Sequence, residues 1–278
     1  MSADASIITL TTDFGTEDAY VPAMKGTMLS IAPEARLVDV THEIAPQDVM
    51  ESAFVLQSAQ PYFPEGTIHL VVVDPGVGTE RRAVAIREAG HWYVGPDNGL
   101  FPLVIEQEPD AVVELDNPEM WRTSSPSSTF HGRDIFAPAA AHLAAGRSLE
   151  ELGSPVTSLE PLRWAEPFIE SDSIEGWITH VDHFGNCITN VRRSTLLDML
   201  ELDEEASLDE SSLSLEVYAG NTVLDSIHST YGDVSGEDPL LLFGSTGFLE
   251  VAVNGGNAAE LLDIRKGDSI KIALSQST

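Results

Sequence analysis

Five short stretches place carboxylate, guanidinium, imidazole and amide side chains in turns beside apolar runs, where they are free to meet a ligand. Thr11-Thr12-Asp13-Phe14-Gly15 follows the first strand-like run and precedes a helical pattern. Open α/β sheets bind ligands beyond the carboxyl ends of their strands. An ionised carboxylate only accepts hydrogen bonds, so Asp13 can take both hydroxyl protons of a ribose diol; it can equally cap the helix that follows. Val73 to Arg82 is a Gly-containing turn in which Asp74 and Arg81 face each other and can pair. Without a Gly-Lys-Ser/Thr ending it is no phosphate-cradling loop, and a surface hairpin with incidental charges is the plain alternative. Phe130-His131-Gly132-Arg133-Asp134 opens an Ala-rich helical stretch. There His131 is an acid–base candidate or a loop residue, Asp134 a helix cap, and Arg133 a brace for a carboxylate.

Later in the chain, Phe184 in Asp182-His183-Phe184-Gly185-Asn186 can stack on an aromatic base, and Asn186 can pair with its edge. Gly244-Ser245-Thr246-Gly247-Phe248 is a second such turn, and for both an ordinary turn is the alternative. The eight histidines show no His-x-His or His-x-x-x-His pair, and the single Cys187 excludes an intrachain disulfide and a Cys-rich metal site. Cys187 reads as a small buried hydrophobe. No metal is expected.

Elements able to position these turns alternate in the first half. Strand-like runs cover 7–11, 37–40, 67–73, 83–86, 92–94 and 111–115, with helical spacing at 18–30, 47–60 and 134–145. That alternation predicts a layered α/β domain with a largely parallel or mixed sheet. After a Pro-punctuated stretch, strand-like runs dominate at 177–181, 187–191, 213–218, 240–243, 248–253 and 269–274, predicting a mostly antiparallel, barrel-like second domain. The domains are set at 1–165 and 174–278, with a linker at about 166–173, and a cleft between domains is a favoured place for a small ligand. The acidic stretch 201–212 reads as a solvated loop.

Composition narrows the partners. Apolar residues make up 42% of the 278, as in a globular protein, and no apolar run is long enough to span a bilayer. The N-terminus lacks a signal-peptide pattern, so a cytoplasmic location is expected. Asp and Glu number 45 against 14 Lys and Arg, a formal charge of −31. Such a field repels nucleic acid and anionic membranes and reads as a solvated acidic surface suited to high salt.

Taken together and in order, the strings TTDFG, VVDPGVGTERR, GPDNGL, TFHGRDIFAPAAAHLAAG, DHFGNCITN and GSTGFLEVAVNGGNAAELL span both predicted domains. The set resembles the S-adenosyl-L-methionine hydroxide adenosyltransferase family, relatives of the fluorinase and chlorinase enzymes, over nearly the whole chain. The resemblance implies hydrolysis of S-adenosyl-L-methionine at the ribose C5′ to adenosine and L-methionine. It places Asp74, Arg81 and His131 as the water-activating set, with Arg82 as the neighbour if the register slips. Asp13 then takes the ribose diol, Asp182 the methionine ammonium, Phe184 and Asn186 the adenine side, and Ser245 the methionine. Asp74 and His131 would polarise or deprotonate the water while Arg81 orients them; bound hydroxide and water deprotonated during attack both fit.

In the halogenating relatives a Tyr stands at the position of His131 and a Ser at that of Gly132, and an insertion precedes the segment matching Gly95 to Leu100. Both departures favour hydrolysis. Those relatives also carry an Arg at the position of Thr246, which leaves the methionine-carboxylate contacts open. A non-enzymatic adenosine- or S-adenosylmethionine-binding module and a halogenase are the alternatives. No cofactor beyond the substrate is implied, and the family assembles as trimers whose sites form between the first domain of one subunit and the second domain of its neighbour.

Overall fold

A computed structural model describes residues 5–105, 107–162, 166–203, 208 and 215–274. The chain divides into two compact units, Met1–Leu162 and Arg163–Thr278.

The first unit is built on β1 (Ile7–Thr12), α1 (Tyr20–Ile31), β2 (Arg36–Thr41), α2 (Val49–Ala59), β3 (Ile68–Val72), β4 (Ala83–Glu88) and β5 (His91–Pro96). It continues through α3 (Leu100–Val104), β6 (Ala111–Glu114), α4 (Ala137–Ala144), α5 (Leu149–Leu152) and β7 (Ser154–Pro155). Its seven-stranded sheet runs β2-β1-β3-β5-β4-β6-β7. β1 pairs in parallel with β2 and β3, and β3 with β5, whereas β4 runs antiparallel to β5 and β6, so the sheet is mixed. β3, Ile-His-Leu-Val-Val, is buried at every position, as a central strand covered on both faces must be. α1 presents Val21, Met24 and Met28 to the core at helical spacing, and α4 buries nearly all of its small side chains.

The helical reading of 134–145 needs one correction. Gly132–Phe136 winds as a π-helical turn and the α-helix proper begins at Ala137. Asp134 is not a cap; it is fully buried inside that turn.

The second unit contains β8 (Phe168–Ile169), β9 (Ser173–Val181), β10 (Cys187–Arg192), α6 (Arg193–Met199), β11 (Leu215–Ala219), β12 (Thr222–Leu224) and β13 (Ile227–His228). β14 (Pro239–Phe243), β15 (Phe248–Val253), α7 (Ala258–Leu261) and β16 (Ser269–Leu274) complete it. The strands form a curled half-barrel, ordered β12-β11-β16-β9-β10-β15-β14-β13, antiparallel except for β13 beside β14. Its core includes Ile174, Ile178, Cys187, Leu249, Val251 and Ile272. Cys187 is buried and free, its thiol pushed up to about 11 by burial. In the acidic stretch, 204–207 and 209–212 lie outside the described residues, as do 213 and 214 of the strand expected at 213–218; Leu208 is buried in this core. The helices α3, α5, α6 and α7 were not anticipated, because four to seven residues are too few for a helical period to stand out.

Candidate active site

Asp13, Asp74 and His131 line one cleft of about 220 Å³ in the first unit, with Phe14, Gln47 and Phe130 among its other walls. Asp13 and Asp74 follow the carboxyl ends of neighbouring parallel strands, β1 and β3, the expected place for a ligand in such a sheet.

Asp13 does not cap α1, whose first turn has no side-chain cap. Its Oδ2 accepts the backbone N–H of Gln47 at 2.8 Å. Gln47 adopts φ 67°, a left-handed conformation rare for a non-glycine residue. Burial and the charge of Asp74 push the Asp13 carboxyl up against the lowering effect of the Gln47 N–H. The loop before it is pinned by Thr12, whose hydroxyl bonds His42 Nδ1 at 2.9 Å, and by Gly15 N–H donating to the His42 carbonyl at 2.8 Å.

Arg81 joins the other two groups. Its Nε donates to Asp74 Oδ1 at 2.8 Å, and one terminal nitrogen reaches both Asp74 Oδ2 and His131 Nδ1, the latter at 2.8 Å. The guanidinium also lies 5.1 Å from the centroid of Phe136 in the π turn. Arginine has no acceptor, so His131 Nδ1 must be the acceptor and the ring proton sits on Nε2. Burial, then the Arg81 charge, lowers the His131 pKa, favouring this neutral form. Of the alternatives the sequence leaves open, this tautomer suits polarising a water or holding an oxyanion, because Nε2–H is a hydrogen-bond donor. Arg82, the neighbour considered in case of a shifted register, turns instead to Asp97 at 2.5 Å.

Asp134 anchors the π turn. It accepts from Arg122 Nε at 2.5 Å, Arg133 Nε at 2.7 Å and the Ser127 N–H at 2.9 Å, so Arg133 does brace a carboxylate. Burial raises its pKa, but these bonds outweigh burial and hold it well below the usual carboxylate range. Gly132 is crowded: a Cβ there would stand 3.2 Å from Met24 Sδ and from the Phe130 ring.

In the second unit, Asp182, Phe184 and Asn186 share the turn between β9 and β10. Asp182 Oδ1 accepts the N–H groups of Phe184 (2.9 Å) and Asn186 (2.8 Å), and Oδ2 accepts Asn186 Nδ2 at 3.0 Å. Phe184 is 73% exposed while Asn186 is buried. Ser245 is exposed on the β14–β15 turn, where the Gly247 carbonyl accepts from Arg193 N–H beyond the opposite end of β10. Beside Ser245, Thr246 Oγ1 is buried and unpartnered.

Sequence reading passed over Glu250, a buried carboxylate that accepts from Tyr231 at 3.0 Å and fills the space a Cβ on Gly244 would need. Burial and Asp182 raise its pKa against the Tyr231 bond. The only sequence sign was a Glu inside an otherwise apolar strand, Phe248–Val253. Among the described residues, no group of three His, Cys, Asp or Glu is placed to hold a metal ion, and no helix is long and apolar enough to cross a membrane.

Two family descriptions match this chain: the SAM hydroxide adenosyltransferase N-terminal domain over residues 8–153 and the corresponding C-terminal domain over 176–271. The chain is 40% identical over 270 residues to a protein of Thermus thermophilus named (R)-S-adenosyl-L-methionine hydrolase, covering 94% of this chain and 96% of that one. It is 31% identical over 297 residues to a fluorinase of an Actinoplanes species, covering 96% and 97%. A solved structure of an uncharacterized conserved protein from Thermotoga maritima superposes with a TM-score of 0.85 at 37% identity, covering 96% of this chain and 99% of that one. Matched through both units, the chain belongs to the SAM hydroxide adenosyltransferase family.

Proposed function

We propose that this protein hydrolyses S-adenosyl-L-methionine at the ribose C5′, giving adenosine and L-methionine. The observation that carries the reading is Arg81 donating at once to Asp74 and to His131 Nδ1, which leaves an Nε2–H donor on the cleft that also holds Asp13. The hydrolase names of relatives at about 40% identity support it.

The sulfonium makes the leaving group a neutral thioether, so no acid is needed there and the demand falls on the nucleophile. Water loses a proton to solvent before attack, and the hydroxide is held by His131 Nε2–H beside Arg81. Donors aimed at a developing or bound oxyanion in a partly dry site are worth far more than in water. The hydroxide oxygen bonds to C5′ as the C5′–S bond breaks and its electron pair goes to sulfur. Asp13 accepts the ribose hydroxyls through its remaining acceptor sites and so fixes C5′ against the nucleophile. In-line positioning of this kind can supply about 7–11 kcal/mol.

In the second unit, Asp182 is assigned to the methionine ammonium, Phe184 and Asn186 to adenine, and Ser245 to the methionine; Thr246 Oγ1 is a buried hydroxyl beside it without a partner. The first-unit cleft, about 220 Å³, is below the roughly 300–1,000 Å³ of most small-ligand pockets. That small volume is in keeping with a site completed by residues outside this cleft, as in the homotrimer the family resemblance implies. A cytoplasmic location and no cofactor beyond the substrate belong to the same reading. A halide has no proton to lose and Gly132 no side chain to hold it, so halogenation is disfavoured.

The test is to incubate purified protein with each sulfur epimer of S-adenosyl-L-methionine and chromatograph the products. Adenosine and methionine in equal amounts from the (R) form named in the relatives is the expected result. Tight binding without either product would reduce the protein to a binding module.

A further inference from the structure

We infer that Asp97 and Asn98, in the Gly95–Leu100 segment so far without a role, clamp both ends of the loop carrying Asp74 and Arg81. They would be positioning residues for the water-activating set, an inference that rests on the reading of that set above.

Sheet order makes the clamp possible. The loop leaves β3 at Val73 and enters β4 after Arg82, yet β3 and β4 are not neighbours; β5 lies between them. No direct ladder fixes the spacing of the loop's ends, and the turn that follows β5 reaches both. On one side Asn98 Nδ2 donates to the carbonyl of Val73, the residue before Asp74, at 2.9 Å. On the other, Asp97 N–H donates to the carbonyl of Arg82, the residue after Arg81, at 3.0 Å, and Asp97 Oδ2 accepts the Arg82 guanidinium at 2.5 Å.

The clamp is itself anchored. Asp97 is 3% exposed, and its Oδ1 accepts Glu160 N–H at 2.9 Å while Arg82 also donates to the Ser158 carbonyl at 2.9 Å. Gly99 adopts φ 94°, and a Cβ there would fall 2.6 Å from that of Leu162, so the turn folds this tightly only with glycine. Asp97 also sorts two adjacent arginines. By holding Arg82 it leaves Asp74 to Arg81 alone. Inside the loop the described backbone bonds are Val77 N–H to Asp74 O at 3.3 Å and Thr79 N–H to Gly76 O at 3.1 Å, which do not set the Asp74–Arg81 distance.

A misplacement of about 1 Å at reacting groups can lower a rate by about 10²-fold. Releasing the clamp should therefore reduce kcat while leaving substrate capture by Asp13 intact. The variants are Asn98→Ala, Asp97→Asn and Arg82→Gln, the last removing the same ion pair from its more exposed side. Each is measured for kcat and KM with S-adenosyl-L-methionine, for adenosine affinity by calorimetry, and for the titration of His131 by NMR of imidazole-labelled protein. The expected result is a kcat lower by about 10- to 100-fold, with KM and adenosine affinity within about twofold. The His131 titration should move upward as Arg81 withdraws from Nδ1, a change that simple destabilisation does not produce. Wild-type kcat in Asn98→Ala and Arg82→Gln, or an unmoved His131 titration in folded variants, would overturn the inference. Should the wild-type protein fail to cleave the substrate, the proposed activity falls while the His131 titration still decides the clamp. Should Asp97→Asn not fold, the other two variants decide it.

Discussion

His69 and His131 sit on the same unit, both with lowered pKa values, yet they are built for different ends. His69 is fully buried in β3 with both ring nitrogens engaged, Nδ1 by Thr9 Oγ1 at 2.9 Å and Nε2 by His91 Nδ1 at 3.3 Å. Its ring stacks on Tyr93 with centroids 5.4 Å apart, and burial, then His91, pushes its pKa down to about 3. His131 is only partly buried and has one nitrogen held by Arg81, so Nε2 is left to the cleft. His42 also has Thr12 on Nδ1, and its Nε2 lies buried 3.0 Å from Asp39 Oδ1 rather than on the cleft. A lowered pKa therefore does not separate His69 from His131. The ring nitrogen left to the cleft does, and the role proposed for His131 rests on it.

The largest test of that contrast is substitution. His131→Ala removes the Nε2 donor, and loss of one oxyanion donor typically lowers kcat by about 10²–10³-fold. Asp74→Asn should fall comparably, because the Arg81 bridge loses its charge. His69→Asn should stay within a few-fold of wild-type turnover at neutral pH. Steady-state kinetics on the three variants check this, and a His69 variant as damaged as the His131 variant would erase the distinction.

Acid should separate the two next. The folded pKa of His69, about 3, lies below the unfolded value of about 6.5, so the unfolded chain takes up the proton first. Stability is full above about pH 6.5 and falls as pH drops toward 3, by about 3 kcal/mol at pH 4 from this one group. Denaturant midpoints of wild type and His69→Asn at pH 7 and pH 4 measure it. The variant should lose clearly less, and parallel losses would return the acid sensitivity to other groups.

Carboxylates show the same division on a smaller scale. Asp134 is saturated by Arg122, Arg133 and Ser127, whereas Asp13 gives one oxygen to Gln47 and keeps the other for the cleft. Losing an acceptor for buried hydroxyls costs about 1–3 kcal/mol. Asp13→Ala should thus weaken adenosine by that amount in calorimetry and 2′,3′-dideoxyadenosine much less. Equal losses for both nucleosides would make Asp13 a loop brace like Asp134. Smallest per group is the diffuse repulsion among the 45 acidic residues. Screening should relieve it, so the thermal midpoint should rise from dilute buffer to molar KCl. A flat midpoint would separate the acidic excess from salt adaptation.

Much of the frame could be read from residue patterns because local chemistry sets it. β1, β3 and β15 are mostly β-branched and apolar runs, broken only by His69 in β3 and Glu250 in β15, and their strands lie where those runs predict. Asp74 and Arg81 could be paired on sequence because one short turn holds both. Illegible were the choices that depend on distant partners. Nothing in Thr-Glu-Arg-Arg says which arginine turns to Asp74 and which to Asp97, since sheet order decides it. The π turn at Gly132–Phe136 and the burial of Asp134 follow from Arg122 and Ser127, upstream in an irregular segment. The His131 tautomer is set by Arg81, 50 positions away. Glu250 escaped notice because its partner Tyr231 lies in a short 3₁₀ turn.

One measurement reaches the centre of this account: the fate of C5′ when S-adenosyl-L-methionine is turned over in ¹⁸O-water containing molar KCl. On the proposed mechanism, a hydroxide held by His131 Nε2–H forms the new C5′–O bond, so mass spectrometry should find the label in adenosine at the 5′ oxygen. Chloride, offered in excess, should yield no 5′-chloro-5′-deoxyadenosine, because Gly132 presents no side chain to hold it. Unlabelled adenosine, or the chloronucleoside as main product, would contradict attack by water at C5′.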